Sequence, residues 1–123
     1  MSIRKNQTYF FDIDGTLFVY RKFETYQTSE PEVVKNVKDS INKLYEKGEH
    51  IVFTTARPEY LREHTIKELS KNDIKYHKLV MEIGRGTRFL INDKEDDRIN
   101  RAISINVSRN KGFTDEDLEL LFR

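Results

Sequence analysis

Asp12-Ile13-Asp14-Gly15-Thr16 places two carboxylates two positions apart, directly after the apolar run Tyr9-Phe10-Phe11. Average residue usage yields Asp-x-Asp-Gly-Thr by chance in a chain of this length roughly once in a thousand sequences. Two carboxylates at one strand end repel each other unless a cation sits between them. Magnesium suits that position: it is hard, prefers oxygen, and binds through one or two carboxylates plus phosphate. A turn is the bland alternative, because Asp and Gly are common turn residues, but a turn does not require two acids. A calcium-binding helix-loop-helix is excluded, because its loop needs a glycine at the sixth position and here glycine is the fourth.

Two further segments carry polar residues behind short apolar runs. Ile51-Val52-Phe53 leads into Thr54-Thr55-Ala56-Arg57-Pro58, and Phe89-Leu90-Ile91 leads into Asn92-Asp93. A threonine hydroxyl, together with the free N–H groups of a helix opening near Pro58, makes a phosphate cradle. The same threonine could equally cap a helix. Arg57 is either a substrate contact or a structural one.

Strands and helices alternate along the chain. Strands are expected at 9–13, 51–53, 76–81, 89–91 and 102–107. Ser29-Glu30-Pro31-Glu32 is a helix-start signal, followed by Val33, Val34, Val37, Ile41 and Leu44 at helical spacing and by Gly48 as the stop. A second helix opens at Pro58, with Leu61, Ile66 and Leu69 as its stripe, and Thr114 caps a third through Leu121. Residues 15–30 read as an irregular loop or small hairpin. This order predicts an α/β fold: one domain over 1–123, a parallel sheet, and helices on both faces in three α/β/α, Rossmann-like layers. In such sheets ligands sit beyond the carboxyl ends of the strands, where Asp12, Asp14, Thr54, Thr55, Asn92 and Asp93 are expected to converge.

The apolar strand with Asp12-Ile13-Asp14-Gly15-Thr16, then Thr55-Ala56-Arg57-Pro58, then Leu90-Ile91-Asn92-Asp93, in this order from Tyr9 to about Val107, resembles the haloacid dehalogenase superfamily. The resemblance implies a phosphatase with Asp12 as nucleophile, Asp14 as general acid and base, and Thr16 bracing the loop. It implies Thr55 as the phosphate-binding hydroxyl, with Thr54 the adjacent alternative and Ala56 beside them. Magnesium would be held by Asp12, by Asp14 through its backbone carbonyl, and by Asp93. Asn92 stands where many members carry Asp, and Asp97 is a weaker fourth candidate. Related small phosphatases place a Lys after a glycine shortly before the metal acid. Gly84-Arg85 stands there, so Arg85 is the first choice for the phosphate-neutralising cation, with Lys78 and Arg88 as alternatives.

Only 22 residues separate Thr55 from Lys78, which leaves no room for a substantial cap domain. A capless member uses a partner subunit as its lid, as a homo-oligomer, or accepts an exposed phosphate on a larger molecule. Phe18, Tyr20, Phe23 and Tyr26 in the loop after Asp14 either wall a substrate or pack that loop onto the core. His50, His64 and His77 lack metal-pair spacing. The stretch 78–112, with Gly84-Arg85-Gly86 and Asn110-Lys111-Gly112, is similar to small hydrolases linked to capsular polysaccharide or nucleotide-sugar synthesis. That likeness implies a sugar phosphate or related small metabolite as substrate.

Composition bounds the alternatives. The 22 basic and 21 acidic residues leave a net charge of +1, which argues against nucleic-acid and membrane-surface partners and so against a polynucleotide 3′-phosphatase. The absence of cysteine removes thiol nucleophiles and zinc–thiolate sites and fits a cytoplasmic location. The apolar runs are too short to span a bilayer, and Met1 to Thr8 is polar, without a signal-peptide core. A receiver-like module, phosphorylated on aspartate, carries its acceptor on the third strand rather than the first. A catalytically silent phosphate- or metal-binding descendant is the remaining rival.

Overall fold

The computed structural model describes residues 6–123, so most of the polar stretch read from Met1 to Thr8 lies outside the described residues. The fold is α/β, built on a parallel sheet of three strands, β1 (Thr8–Asp12), β2 (His50–Thr54) and β3 (Lys78–Val80), in the order β1-β2-β3. The helices are α1 (Lys35–Glu46), α2 (Arg62–Lys71) and α3 (Asp115–Leu121). No cap domain interrupts this order among the described residues, as the short connections predict.

Register explains how the sheet carries both a core and a site. Phe11 lies opposite Phe53 and Phe53 opposite Leu79, while Asp12 lies opposite Thr54. Phe11, Ile51, Phe53 and Leu79 share one face and join Val37, Ile41 and Leu44 of α1, together with Leu61 and Leu69, in a single core. Because side chains alternate along a strand, Phe10, Val52 and Val80 fall on the opposite face.

α1 buries Val37, Ile41 and Leu44 at the expected helical spacing. It stops at Gly48, whose φ of +89° suits glycine at a helix end. Its start departs from the reading of Ser29-Glu30-Pro31. The helix begins at Lys35, with Val34 in extended conformation and no side-chain cap. Residues 32–34 pair instead with 17–19: Val19 N–H donates to the Glu32 carbonyl and Val34 N–H to the Leu17 carbonyl, both at 2.8 Å. Burying Leu17, Phe18 and Val34 in this pairing outweighs the Ser29 cap, whose hydroxyl donates to the Thr25 carbonyl. At the other end, Thr114 caps α3 as expected, in a reciprocal bond with Asp117.

Two expected strands do not form. Residues 89–91 and 102–107 have no strand pairing and lie largely at the surface. Their β-branched and aromatic composition gives them strand propensity, but a strand needs a neighbour, and neither segment pairs with one among the described residues. The third strand is also shorter than the expected 76–81.

Beyond the exposed stretch the chain returns to its own body. Asn110 N–H donates to the Gly15 carbonyl at 2.8 Å, and Asn110 Oδ1 accepts from Tyr20 N–H at 2.7 Å. Asn36 of α1 bonds both the N–H and the carbonyl of Phe113. Gly112 has a φ of +74°, and a Cβ there would stand 2.3 Å from Asn36 Oδ1, so only glycine fits. The run Asn110-Lys111-Gly112 thus ties the C-terminal end to the loop after Asp12 and to α1.

Candidate active site

Asp12 ends β1, beside Thr54 at the end of β2. The chain then closes tightly: the Ile13 carbonyl accepts from the N–H groups of Thr16, Leu17 and Phe18 at 3.2, 2.9 and 2.9 Å. Gly15 turns this loop at a φ of +92°. The closure brings Thr16 back so that its hydroxyl donates to Asp12 Oδ2 at 3.1 Å. Removal from water raises the Asp12 pKa above its ordinary value, with the Asp14 charge adding to it and the Thr16 bond and Arg88 opposing it.

Asp14 points the other way, into a buried ion network. Both of its oxygens accept from Arg57: Oδ2 from Nε and Oδ1 from Nη2, each at 2.8 Å. Arg57 is 2% exposed, and its Nη1 donates to Thr65 Oγ1 at 3.0 Å and to Glu68 Oε1 at 2.7 Å. Glu68 in turn holds Arg21 Nη2 through both oxygens, at 3.0 and 2.9 Å. His64 Nε2 lies 2.7 Å from the Tyr26 carbonyl and 3.2 Å from Glu68. The Tyr26 ring covers the Arg57 guanidinium at 4.4 Å. Two carboxylates and two guanidiniums balance, which lets the cluster tolerate burial. Burial alone would lower the Arg57 pKa, but its bonds to Asp14 and Glu68 drive it above the usual arginine range. Burial and the neighbouring Asp14 charge push the Tyr26 phenol up to about 12.

Arg57 is therefore a structural contact in this chain. Helical spacing carries a signal for its partners: Thr65 and Glu68 stand three apart on the buried stripe that Leu61 and Leu69 define, and a glutamate on such a stripe needs a cation. Sequence reasoning missed Glu68 and Arg21.

The remaining residues named from the sequence are placed as follows. Thr55 is buried; its Oγ1 accepts from Arg57 N–H at 3.1 Å, which leaves the hydroxyl proton to donate elsewhere. Ala56 lies between Thr55 and Arg57, half-buried. Lys78 opens β3 opposite Val52, two residues before the strand end that faces Thr54. Arg85 is exposed. Of the three candidate cations, Arg88 is the one paired with Asp12, with Nη2 3.9 Å from Oδ1. Asp93 lies on the exposed stretch, accepting from Asn92 at 3.2 Å and from Arg101 at 3.3 Å. Asn92 and Asp97 are exposed on the same stretch.

The first two segments therefore meet at one sheet edge, and the third does not join them. Among the described residues no three acids or histidines form a group able to hold a metal. The donor set explains why: with both Asp14 oxygens committed to Arg57, Asp12 offers the one carboxylate of the pair still available to magnesium. The loop aromatics divide. Phe18 and Tyr26 are buried, whereas Tyr20 and Phe23 are exposed, and Arg109 stacks over Tyr20 at 4.4 Å.

The family model for haloacid dehalogenase-like hydrolases matches residues 9–107. No curated protein matches the chain. A crystal structure of a target protein from Vibrio cholerae superposes with a TM-score of 0.53, covering 94% of this chain and 96% of that one at 19% identity. At that identity the likeness speaks to the fold alone.

Proposed function

The chain belongs to the haloacid dehalogenase-like hydrolases, and on that premise we propose that it is a magnesium-dependent phosphatase acting on a phosphate monoester through an aspartyl-phosphate at Asp12. The observation that carries the reading is the end of β1. Asp12 stands at the open sheet edge, half-shielded from water, braced by Thr16, with Arg88 on one side and Thr54 on the other. A carboxylate so placed attacks phosphorus and divides hydrolysis into two easier displacements.

Arg88 supplies positive charge at the phosphoryl oxygens, a role the sequence suggested first for Arg85. Thr55, or Thr54 next to it, donates its hydroxyl to the phosphate. Asp12 and the Asp14 backbone carbonyl would hold magnesium, which would neutralise the phosphate charge; Asp93, the third ligand named from the sequence, is paired with Arg101 on the exposed stretch. Asp14 serves as the general acid and base. Because Arg57 occupies both Asp14 oxygens, proton transfer requires the carboxylate to release one of those bonds. A sugar phosphate or similar small metabolite fits the open edge, which no cap covers among the described residues.

The commitment of Asp14 to Arg57 favours one rival, a catalytically silent phosphate-binding module. A screen of phosphate esters with and without magnesium, run on the native protein and on Asp12→Asn, separates the two. Magnesium-dependent release of phosphate that disappears in Asp12→Asn supports the phosphatase. Ester binding without turnover supports the module.

A further inference from the structure

Arg109 lies against the turn that carries Asp12 and Asp14. The Cβ that Gly15 lacks would stand 3.4 Å from Arg109 Cγ and 3.8 Å from its Nε, so the arginine stem packs along that turn. Its own stretch of chain is anchored in the same place. Asn110 N–H donates to the Gly15 carbonyl at 2.8 Å, and Asn110 Oδ1 accepts from Tyr20 N–H at 2.7 Å. The Arg109 guanidinium then sits over the Tyr20 ring, 4.4 Å from its centroid. These contacts hold in one place a long side chain that free in water samples many rotamers.

An arginine held this way commonly has an acid to hold in turn. Arg62, Arg88 and Arg101, also at the surface, each face a carboxylate. Arg109 faces none among the described residues, and its N–H groups bond no acceptor there. The acids of the turn do not serve it: Asp14 gives both oxygens to Arg57, and Asp12 faces Arg88. A guanidinium resting on a ring uses its face and keeps its N–H edge, the fork that matches a carboxylate or a phosphate. Position makes this edge useful. Gly15 follows Asp12 by three residues, so their Cα atoms lie at most about 11 Å apart. A sugar-sized molecule with its phosphate at Asp12 can therefore reach Arg109 with its other end.

We propose that Arg109, braced by Tyr20, determines specificity by binding a second anionic group at the far end of the leaving group. The substrate is then a phosphate ester that carries a further carboxylate or phosphate, rather than the ester of a neutral sugar. Arg88 serves the phosphoryl group that is transferred, and Arg109 serves the remainder of the molecule. The assignment rests on the phosphatase reading, because Asp12 fixes where the first phosphate lies.

Matched esters test this. 6-Phosphogluconate and sorbitol 6-phosphate share one linear chain and differ only in a terminal carboxylate. With magnesium, the native protein should favour the carboxylate in kcat/KM by about tenfold, the share expected of a charge-assisted fork at a surface. Arg109→Ala should bring that ratio close to one, mainly through KM. Arg109→Lys keeps the charge without the fork and should fall between. Both changes fall on an exposed position, so the fold is retained. Lys111→Ala makes the same charge change at an exposed position nearby and should keep the native ratio. Fructose 1,6-bisphosphate against fructose 6-phosphate reads the same preference for a phosphate. No preference in either pair overturns the proposal, as does a preference that Arg109→Ala leaves intact or that Lys111→Ala removes equally. Absence of turnover with every ester defeats the phosphatase reading alone. Calorimetric titration of the same pairs then judges Arg109: a preference in affinity that Arg109→Ala abolishes upholds its role, and equal affinities or no binding overturn it.

Discussion

Replacing Arg57 by alanine tests the buried network most severely. The side chain is 1% exposed, and its partners Asp14 and Glu68 are 10% and 5% exposed. Without the guanidinium, two carboxylates remain in a site sealed by Tyr26 and Thr65, with Arg21 alone to balance them. Removing one partner of a buried ion pair costs about 3–5 kcal/mol, chiefly through the uncompensated charge left behind. For a domain of this size that corresponds to a fall in melting temperature of about 10–20 °C. Lys35→Ala is the matched control, since its pair with Asp39 is exposed on α1; it should cost less than about 0.5 kcal/mol. Urea unfolding followed by circular dichroism reads both. An Arg57→Ala loss below about 1 kcal/mol would refute the argument, because it would mean that water or a rearranged partner already serves those carboxylates.

Three further expectations follow from the same structure. Asp12→Asn should abolish turnover yet raise the stability of the metal-free protein, by less than about 1 kcal/mol because the half-shielded carboxylate is still screened by solvent. The sign follows from the raised Asp12 pKa, whose stabilising share is present below the unfolded value of 3.8 and lost as pH rises through the folded one; thermal melts at neutral pH check it. Tyr26, pushed up from 10.0 to about 12, contributes stability that is complete below pH 10 and lost between roughly pH 10 and 12. Unfolding measured across that window should steepen with pH, and Tyr26→Phe should flatten it. Gly112→Ala should destabilise by about 2–4 kcal/mol, since the new methyl meets Asn36 in a left-handed turn, and should loosen α3 in hydrogen exchange.

Local chemistry made much of the fold legible. The aromatic run at Tyr9–Phe11, the Ile51–Phe53 strand, the Gly48 stop and the Thr114 cap each express a preference of the residues themselves, and each stands where those preferences put it. Val33 and Val34 show where that logic ends. They fit a helical stripe, yet Leu17 and Phe18 claim them for an extended pairing that no spacing reveals. Phe89–Ile91 reads as a strand for sound reasons of propensity, but pairing depends on an edge presented by something else. At the site, Asp12, Asp14 and Thr55 were visible because their spacing follows the strand ends. The partnership of Arg57 with Glu68 was not, because it joins a loop to a helix face through space, and charge alone does not distinguish a buried arginine from a solvated one.

The aspartyl-phosphate at Asp12 is the claim on which the account turns. Rapid quenching during turnover of a reactive phosphate ester with magnesium, followed by peptide mass spectrometry, measures it directly. The account predicts a single acid-stable, base-labile phosphoryl group on the peptide containing Asp12, absent from Asp12→Asn. Steady turnover in a protein whose Asp12 is never modified, or a phosphoryl group found on another residue, would contradict it.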